Sequence, residues 1–475
     1  MLRDSLVVLY LLSLSGLALY GLLGLFTLWQ FWRHRGDVER QPAFDPVDLP
    51  PVTVQLPIYN ERYVVEQLIT AVACLRYPRD RLQIQVLDDS TDDTTERAAA
   101  LVARYQSEGL DIGLLHRERR DGYKAGALAA GLAAARGDFL AIFDADFRPE
   151  PDFLLQTVPL FLDEPELGVV QARWGHLNAH SSLLTAAQAL ALDKHFVVEQ
   201  TVRHRADLFP KFNGTAGVWR RTCLEDSGGW HDDTVCEDLC VSTRAVLSGW
   251  RFRFLPNVVA PAELPSTASA YKSQQARWAK GSMQCLLKYG RSILTSHNQS
   301  RTARLYALLT MSAYVSSCLV LLLLLLQLPL IYYGVRPSSW LAALGIAGIG
   351  QPLLFILGQQ QAYPDWGRRT LYLPALLITG IGLSVTLCRA VLQALLSRRH
   401  PFVRTPKWGG GPPSQPYGLP FDWIVGIELF FAGYATVALG LAIARHNYGP
   451  ILFLISCMAG FLYISVLTLR ERRHY

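Results

Sequence analysis

The segment at residues 139–150, FLAIFDADFRPE, places two carboxylates, Asp144 and Asp146, directly after an apolar run. If the run forms a β-strand, residues i and i+2 point to the same side, so both carboxylates face one spot. The two anions repel each other unless a cation lies between them, and a divalent metal bound by oxygen ligands would remove that repulsion. Aspartate also favours solvated turns. The spacing alone therefore leaves a metal site and a turn as alternatives.

The elements that position this pair form a repeating pattern from Val52 to about Pro265. VTVQLPIYN and LQIQVLDDS have strand patterns, whereas DTTERAAALVARYQSEG and KAGALAAGLAAARG have helical patterns. This alternation predicts an α/β fold with a mostly parallel sheet and helices on both faces. In such sheets ligands bind beyond the carboxyl ends of the strands. The polar residues predicted at those ends, and hence at one shared site, are Asn60, Asp88, Asp89, Asp144 and Asp146.

Three other classes of phosphate-handling protein are disfavoured by missing motifs. No GxGxxG follows the first predicted strand, so a dinucleotide-binding half is not supported. GALAAGLAAARG lacks the Lys-Ser/Thr ending of a phosphate-binding P-loop. A haloacid-dehalogenase-type phosphatase would carry DxDxT near the start of its domain, whereas here Phe147 follows the second aspartate and the motif comes late.

Charge-free apolar stretches indicate a second structural unit, an integral membrane region. A membrane span needs about 20 apolar residues. The stretches that carry no charged residue are 5–32, 305–335, 338–364 and 370–388, and residues 423–444 contain Glu428 alone. The chain is therefore expected to combine a globular α/β domain with transmembrane helices.

The first apolar stretch has a signal peptide as its alternative. It is much longer than the apolar core of a signal peptide, and no small-residue cleavage site precedes the RHRGDVER that follows. We therefore expect an uncleaved span. Its basic flank of Arg33, His34 and Arg35 places the next segment in the cytosol by the positive-inside rule.

Cysteine usage and net charge exclude two further classes. The eight cysteines are scattered, and the nearest pair, Cys236 and Cys240, lacks the spacing and the neighbouring histidines of a zinc site. The net charge of +6 is modest, and the basic residues cluster near the predicted membrane ends. That distribution is typical of topology signals and lipid headgroup contact. We expect no nucleic-acid partner.

A set of ordered motifs resembles a known family. In chain order they are VQLPIYNE, VLDDSTD, GYKAGAL, IFDADFRPEPDF, VQARW, FNGTAGVWR, CED, YKSQQARW and FVRTPK. Together they resemble the membrane-embedded family 2 glycosyltransferases of the cellulose synthase superfamily, above all the glucomannan and xyloglucan-backbone synthases and their bacterial relatives. The similarity runs from about Val52 to Gly281 and resumes at Phe402. The ordered combination of DxD, ED and QxxRW is its most specific part.

The resemblance implies a cytosolic GT-A domain, which binds a nucleotide sugar on a mostly parallel sheet, joined to an α-helical transmembrane region with interfacial helices. The expected boundaries are a first span at 1–32, a linker at 33–50, the GT-A catalytic domain at 51–265, interfacial helices with QxxRW at 266–300, and a transmembrane region at 301–475 with a gating-like loop near 397–415.

The resemblance also implies a donor site with Mg²⁺ or Mn²⁺. Asp146 and Asp144 would hold the metal against the diphosphate, where it would act as a Lewis acid. Asp88 or Asp89 resembles the nucleoside-binding acid of the family, and Lys124 resembles the residue that reaches the base and the phosphates. An ordinary lysine at a helix start is the alternative for Lys124. The expected donor contacts are Pro57, Tyr59, Glu61, Asp88, Asp89, Lys124, Asp144, Thr405 and Lys407.

For catalysis, the resemblance assigns the general base to the aspartate of an acidic pair, here Glu237 and Asp238. Cys236 before the pair and Cys240 after it depart from the usual motif. The expected catalytic set is Asp238, Glu237, Arg277, Trp278 and Gln274, and the expected acceptor contacts are Asn213, Gly214, Thr215 and Trp278.

The QxxRW residues Gln274, Arg277 and Trp278 share one side of a helix, because residues three and four apart are neighbours there. Arg277 can bind phosphate oxygens in a bidentate manner. Trp278 offers a flat apolar face for a sugar ring. An amphipathic interface helix is the structural alternative, and it is compatible with this role.

The expected activity is an inverting, metal-dependent, processive transfer of hexose from UDP-glucose or GDP-mannose to a growing β-linked glycan, with a β-1,4 linkage. No residue decides between the donors, and UDP-glucose is the first choice. A glycolipid synthase that adds one sugar to a membrane lipid is the alternative. A non-catalytic transporter or scaffold is disfavoured because metal, base and leaving-group residues are all present. The expected partners are the nucleotide-sugar donor, a glycan or lipid acceptor and the lipid bilayer of a bacterial inner or plasma membrane; accessory export proteins are not identified.

The resemblance finally constrains the topology. The gating-like loop, SRRHPFVRTPKWGGG, must lie on the cytosolic side with the catalytic domain. Residues 371–396 are therefore expected to form an interfacial or re-entrant helix, which Pro374, Gly380, Gly382 and the amphipathic CRAVLQALLSRR favour. Five spans result, including one at residues 340–362. Glu428 is expected to snorkel near the cytosolic surface rather than to function.

Overall fold

The computed structural model of the chain describes residues 1–36, 49–336, 342–396 and 422–473. Two predictions fall elsewhere. The gating-like loop near 397–415, with Thr405 and Lys407, and most of the linker at 33–50 lie outside the described residues.

A seven-stranded sheet forms the centre of the globular domain, in the order β3-β2-β1-β4-β6-β5-β7. The strands are β1 (Val52–Ile58), β2 (Leu82–Asp88), β3 (Ile112–His116), β4 (Phe139–Ile142), β5 (Leu167–His176), β6 (Gly217–Arg220) and β7 (Arg251–Ala262). β1 to β4 run parallel to one another, and β5 runs parallel to β7. β6 runs antiparallel to its neighbours β4 and β5. The predicted mostly parallel sheet is confirmed.

Helices surround this sheet and continue beyond it. α1 (Leu2–Arg33) precedes the sheet. Between the strands lie α2 (Val65–Ala73), α3 (Thr94–Ser107), α4 (Tyr123–Ala134), α5 (Phe153–Thr157), α6 (Leu160–Asp163), α7 (Leu183–Asp193), α8 (Thr201–Arg205), α9 (Arg221–Asp226) and α10 (Glu237–Leu247). A π-helical segment, Lys194–Gln200, joins α7 to α8.

The remaining helices follow β7. They are α11 (Ala268–Thr295), α12 (Arg301–Met311), α13 (Val315–Tyr332), α14 (Ala342–Ala347), α15 (Gly350–Ala362), α16 (Trp366–Arg369), α17 (Leu373–Gly382), α18 (Ser384–Leu395), α19 (Ile424–Ala444) and α20 (Ile451–Arg473).

The central strand β4 is buried along its whole length because both faces of the sheet are covered. Successive strand residues point to opposite faces. Phe139 and Ala141 accordingly join one hydrophobic core with residues of α2 and α3. Leu140 and Ile142 join a second core, which contains residues of α4, α10 and α11. The apolar run that precedes the two aspartates is therefore a fully buried strand.

The strand directions bring several chain segments to one edge. β1, β2 and β4 are parallel, so their carboxyl ends lie at the same edge of the sheet. β6 is antiparallel to β4 and pairs Gly217 with Ile142, the last residue of β4. The residues that precede β6 therefore lie beside those that follow β4. This antiparallel strand brings the segment 213–216 to the predicted site.

Four helices among the described residues are long and apolar enough to cross a membrane: α1, α13, α19 and α20. The predicted span at 340–362 is not one of them. Its helical residues form the short α14 and the 13-residue α15. Glycines at 348 and 350 disfavour a helix, and Pro352 lacks a backbone N–H. The charge-free stretch at residues 305–335 is also divided, between α12 and α13.

Residues 371–396, which were expected to form an interfacial or re-entrant helix, contain a break between two helices. Residues Trp366–Gly382 and Ser384–Leu395 form two helical parts bent by 46°. This geometry is that of a broken span or of a re-entrant loop. The interfacial or re-entrant placement of residues 371–396 stays a prediction.

The expectation for Glu428 was wrong. Its side chain is fully buried, and Oε1 lies 2.7 Å from the Nζ atom of Lys272. A buried carboxylate needs a cationic partner, and the nearby lysine of α11 supplies it within the protein. Glu428 therefore does not extend to an aqueous surface.

Candidate active site

One pocket at the carboxyl edge of the sheet gathers most of the predicted residues. It lies between the ends of β1, β2 and β4, the start of α10 and one face of α11. The predicted residues that line it are Pro57, Tyr59, Glu61, Asp89, Lys124, Asp144, Asp146, Asn213, Gly214, Glu237, Asp238, Gln274, Arg277 and Trp278.

The aspartate pair follows its strand in a turn. β4 ends at Ile142, and the backbone N–H of Phe147 donates to Asp144 O at 3.0 Å. The two aspartates therefore do not belong to a β-strand, and the reason given for their pointing to the same side is wrong. Both still line the pocket. Pairing with β6 ends at Ile142, which explains why the strand does not continue through the aspartates.

Lys124 occupies the centre of the carboxylate group. Its Nζ donates to Asp144 Oδ1 at 2.5 Å and to the carbonyl of Gly214 at 2.9 Å, and lies 3.9 Å from Glu237 Oε1. Burial lowers the pKa of Lys124, but the carboxylates of Asp144, Glu237 and Asp238 together raise it above its usual value. The lysine is therefore a fixed cation among the carboxylates.

The acidic pair Glu237 and Asp238 begins α10, where the helix dipole favours negative charge. Asp238 Oδ1 accepts a hydrogen bond from the N–H of Leu239 at 2.8 Å. Burial raises the pKa of Glu237 to about 7, with Lys124 opposing the shift, and burial likewise raises the pKa of Asp238. A carboxylate with a raised pKa accepts a proton more readily, which suits a general base.

Only one of the two aspartates at the end of β2 lines the pocket. Asp89 does so, and Arg117 binds it through two hydrogen bonds of 2.7 Å and 2.6 Å. Asp88 is fully buried and is bound by Ser90 N at 2.9 Å, Thr95 Oγ1 at 2.6 Å and His116 Nδ1 at 2.8 Å. The prediction that Asp88 contacts the donor is therefore corrected, because its carboxylate is occupied in holding the loop after β2.

The segment before β6 also differs from its expected role. Thr215 was predicted to contact the acceptor, but it is fully buried and its Oγ1 accepts from Asp144 N at 2.8 Å. It therefore positions the aspartate instead. Gly214 has a φ of +86°, and a Cβ atom there would lie 2.9 Å from Asp238 Oδ2. Glycine is required at this position by both conformation and space.

Asn213 reaches the pocket from the opposite side of this segment. Its side-chain amide contacts His195 Nε2 at 2.9 Å, and its Oδ1 accepts from Gln200 Nε2 at 2.5 Å. Both partners belong to the π-helical segment. Burial lowers the pKa of His195 to about 4, so its ring is neutral and accepts from Asn213. π-Helical turns are frequent at functional sites, and nothing in the sequence pattern predicted this one.

The QxxRW residues enter the pocket from α11 as their spacing predicted. The same helix approaches the loop before α10 closely: a Cβ atom at Gly281 would lie 2.1 Å from Cys236 Sγ. Gln284 Oε1 accepts a hydrogen bond from Val235 N at 3.1 Å. One helix therefore positions both its own side chains and the acidic pair.

Arg120 and Trp174 are among the pocket residues to which the sequence reasoning gave no role. The guanidinium carbon of Arg120 lies 3.4 Å from the ring centroid of Tyr59, a cation–π contact. Trp174 on β5 packs edge-on against Phe147, with ring centroids 5.2 Å apart. The charged segment RERRD indicated that an arginine could lie near the site, but no spacing rule identified Arg120 among its three arginines.

The carboxylates of the pocket fit a divalent cation that takes its remaining ligands from the substrate. Within the described ranges, no group of three or more His, Cys, Asp or Glu residues could hold a metal ion by itself. Mg²⁺-type sites commonly use one or two carboxylates and complete their shell with substrate phosphates and water. Asp144 and Asp146 provide such carboxylates, and Lys124 engages the first of them. Both aspartates are therefore candidate ligands of the cation.

Sequence comparison places the globular domain among known proteins. A family model described as "Glycosyltransferase like family 2" matches residues 50–281. Glucomannan 4-beta-mannosyltransferase 9 of Arabidopsis thaliana is 44% identical over 267 residues, which cover 54% of this chain and 50% of that protein. Probable glucomannan 4-beta-mannosyltransferase 3 of Oryza sativa subsp. japonica is 45% identical over 252 residues, covering 52% and 46%. The chain spans about half the length of the curated relatives it matches.

Structural comparison agrees at the level of the fold. The mannosyltransferase PcManGT from Pyrobaculum calidifontis, solved in complex with GDP-Man and Mn²⁺, has a TM-score of 0.56 and 22% sequence identity. The similarity covers 84% of this chain and 100% of that one. The predicted GT-A-like arrangement of a mostly parallel sheet with helices is confirmed.

Proposed function

We propose that the protein is an inverting hexosyltransferase that extends a β-linked glycan, and the match of residues 50–281 to the family model described as "Glycosyltransferase like family 2" supports this. One observation carries the proposal. The carboxylates after β4, the acidic pair that begins α10 and the QxxRW face of α11 all line a single pocket. Such an arrangement supplies a base, a cation and an aromatic face around one reacting centre.

We take GDP-mannose as the donor and a β-1,4-linked mannose-containing glycan as the product. The support is the name of the similar plant proteins, glucomannan 4-beta-mannosyltransferases. UDP-glucose, the first choice on sequence alone, becomes the second donor to test.

In the proposed reaction, Asp238 removes the proton from an acceptor hydroxyl as the hydroxyl oxygen forms its bond to the anomeric carbon of the donor. The bond between that carbon and the diphosphate oxygen breaks, and the electron pair leaves with the nucleoside diphosphate. Attack from the face opposite the leaving group inverts the anomeric configuration. The space that Gly214 leaves beside Asp238 Oδ2 lets the carboxylate occupy this position.

Negative charge that develops on the leaving diphosphate requires cationic partners nearby. Arg277 lines the pocket and carries the planar donor group that matches phosphate oxygens. Lys124, on the other side, holds Asp144 and lies close to Glu237. When bound by Asp146 and the diphosphate, Mg²⁺ or Mn²⁺ would act as a Lewis acid on the leaving group.

The acceptor is proposed to lie against Trp278 on α11 and Asn213 before β6, which face the pocket from different elements. A flat indole face suits the apolar side of a sugar ring, and an amide side chain can bind its hydroxyl groups. The catalytic domain is proposed to lie in the cytosol, where nucleotide sugars would reach it, with the apolar helices crossing the membrane.

The test uses purified full-length protein with radiolabelled GDP-mannose, UDP-glucose and other nucleotide sugars. We expect a polymer from GDP-mannose that a β-1,4-mannan-specific glycanase degrades. Asp238→Asn, prepared in the same way, should bind the donor with little change but transfer no sugar, because a base acts in the transition state.

Two outcomes would contradict the proposal. A radiolabelled single-sugar product that partitions into the organic phase would favour a glycolipid synthase. Donor affinity that falls in step with the rate in Asp238→Asn would make Asp238 a binding residue rather than the base.

A further inference from the structure

Helix α11 has two faces with different surroundings. Gln274, Arg277 and Trp278 line the pocket. At 3.6 residues per turn, these residues lie about 140° to 240° around the helix from Lys272. Lys272 therefore points away from the pocket, towards the helices at the end of the chain, and none of the steps proposed above uses it.

Lys272 lies in a group of three charges, of which Lys272 and Glu428 are buried and Asp422 is 24% exposed. Its Nζ is 2.5 Å from Asp422 Oδ2 and 2.7 Å from Glu428 Oε1. The side chain of Lys272 is 4% exposed and that of Glu428 is 0% exposed. Ser465 Oγ of α20 contacts the second oxygen of Glu428 at 3.4 Å. Three parts of the chain thus meet at one ammonium group: α11, α19 with Asp422 two residues before its start, and α20.

A second contact lies one turn earlier on the same helix. Glu471 of α20 accepts hydrogen bonds from the N–H of Ser269 at 3.1 Å and from its hydroxyl at 2.9 Å. The N–H of Ala268 also donates to this carboxylate. The first N–H groups of a helix have no partner inside the helix, and a carboxylate satisfies them favourably. The start of α11 is therefore attached to α20.

These contacts define the rotation of α11 about its axis. A buried charge that loses its partner is unfavourable, so the ammonium must remain between the two carboxylates. A shift of the helix by one residue would rotate Lys272 by about 100° and separate the charges. The same shift would rotate Arg277 and Trp278 out of the pocket. The charge group and the pocket face are consequently linked through one rigid helix.

We propose that Lys272 is a positioning residue, whose ion pairs with Asp422 and Glu428 fix the rotation of α11 and so present Arg277 and Trp278 to the pocket. The inference rests on the proposed function, because it concerns where the leaving-group and acceptor residues lie. It assigns a role in transfer to three charged residues that do not touch the substrates.

The first experiment compares transfer by wild type, Lys272→Met and Lys272→Arg in detergent. A displacement of about 1 Å at catalytic residues can reduce the rate about 100-fold. We expect a loss of kcat of about that size in Lys272→Met, a change in donor KM of no more than a few-fold, and recovery of most of the rate in Lys272→Arg. Lys288→Met is the matched control, since Lys288 lies on the same helix and its partner Asp233 is half exposed. It should retain wild-type kcat.

A second variant separates positioning from stability. Lys272→Met combined with Asp422→Asn and Glu428→Gln removes the whole charge group and leaves no unpaired buried charge. It should therefore fold even if Lys272→Met alone does not. We expect it to remain as slow as Lys272→Met. Recovery of wild-type kcat in this triple variant would show that the charges serve folding only, and would overturn the proposal.

A third measurement does not depend on activity. The protein is labelled with 5-fluorotryptophan, and the ¹⁹F resonance of Trp278 is identified by its loss in Trp278→Phe. We expect this resonance to shift in the triple variant and to keep its wild-type position in Lys288→Met. An unchanged Trp278 resonance would overturn the proposal. If wild type transfers no sugar from any donor, the proposed function fails, while the ¹⁹F comparison still decides the positioning role.

Discussion

At the scale of single residues, the pocket holds Asp238, the proposed base, in a space that only glycine leaves open. Gly214→Ala should place a Cβ atom 2.9 Å from Asp238 Oδ2 and force the alanine to adopt a φ of +86°. We expect kcat to fall about 100-fold because the carboxylate is displaced, and the free energy of unfolding to fall by about 1–2 kcal/mol. Transfer rates and thermal unfolding measure the two effects.

Gly229→Ala is the control for this substitution. Gly229 has a φ of +70°, but no atom lies within 4 Å of its Cβ position. It should therefore show the backbone strain without the loss of rate. Equal losses of kcat in the two variants would mean that strain, rather than displacement of Asp238, accounts for the result.

The raised pKa values of the acidic pair predict the pH dependence. A general base must be ionised, so the rate should rise with pH through the pKa values of Glu237, about 7, and of Asp238, which is also raised. The two steps belong to the pair because the carboxyl groups interact. Lys124 favours the ionised forms, so in Lys124→Met the acid limb of kcat/KM should move to higher pH. Lys124→Arg should move it less, and an unchanged limb in Lys124→Met would contradict the assignment.

Metal dependence can be tested at Asp146. Asp146→Asn should abolish transfer with the fold intact, because the cation would lose an anionic ligand. Asp163→Asn, which changes an exposed aspartate away from the pocket, should have no effect. Wild type should lose transfer in excess EDTA and regain it when Mg²⁺ or Mn²⁺ is added. Full activity of Asp146→Asn, or of wild type in EDTA, would exclude the metal site.

At the scale of elements, the alternation of strands and helices was sufficient to predict the parallel sheet and the edge where the site lies. It did not predict β6, which runs antiparallel to β4 and β5, because an alternation of strands and helices predicts parallel neighbours. Asp88 and Thr215 were expected to touch ligands, since strand-end rules locate a residue but not the direction of its side chain. Both instead bind the backbone or side chains of the loops that carry the site.

The pocket face of α11 gives a prediction for this helix. Trp278→Ala should raise the acceptor KM and lower transfer, whereas slow hydrolysis of the donor by water should continue, because the base and the leaving-group residues remain. Trp278→Phe should recover part of the transfer, since a phenyl ring keeps a flat face. Leu287→Ala, at a residue of α11 that is 55% exposed, is the control. A loss of hydrolysis equal to the loss of transfer would contradict the acceptor role.

At the scale of the whole molecule, the side on which residues 397–421 emerge depends on the segments between α13 and α19. If α1 enters the cytosol and α13 leaves it, one further crossing must return the chain. The sequence assigned that crossing to residues 340–362. The structure also offers the bent pair Trp366–Gly382 and Ser384–Leu395, which together are long and apolar enough. Either choice alone brings the loop to the side of the catalytic domain.

Labelling of one cysteine tests this topology. In a background without the native cysteines, a cysteine in place of Phe402 should resist impermeant thiol reagents added outside intact cells. A cysteine in place of Tyr448, between α19 and α20, should react and serves as the control. Ready labelling at position 402 would mean that both segments cross, or neither does, and would remove the basis for a gating role.

The attachment of α11 to α20 has a consequence for biosynthesis. Ser269 and its partner Glu471 are 202 residues apart in the chain. At translation rates of about 5–20 residues per second, the ribosome needs roughly 10–40 s to make the intervening segment. The residues on the carboxylate side of the pocket precede Ser269 in the chain, whereas Lys272 and the first N–H groups of α11 gain their carboxylate partners only after α19 and α20 have been synthesised. A nascent chain would therefore contain the whole seven-stranded sheet well before α11 is fixed in its final position beside the pocket.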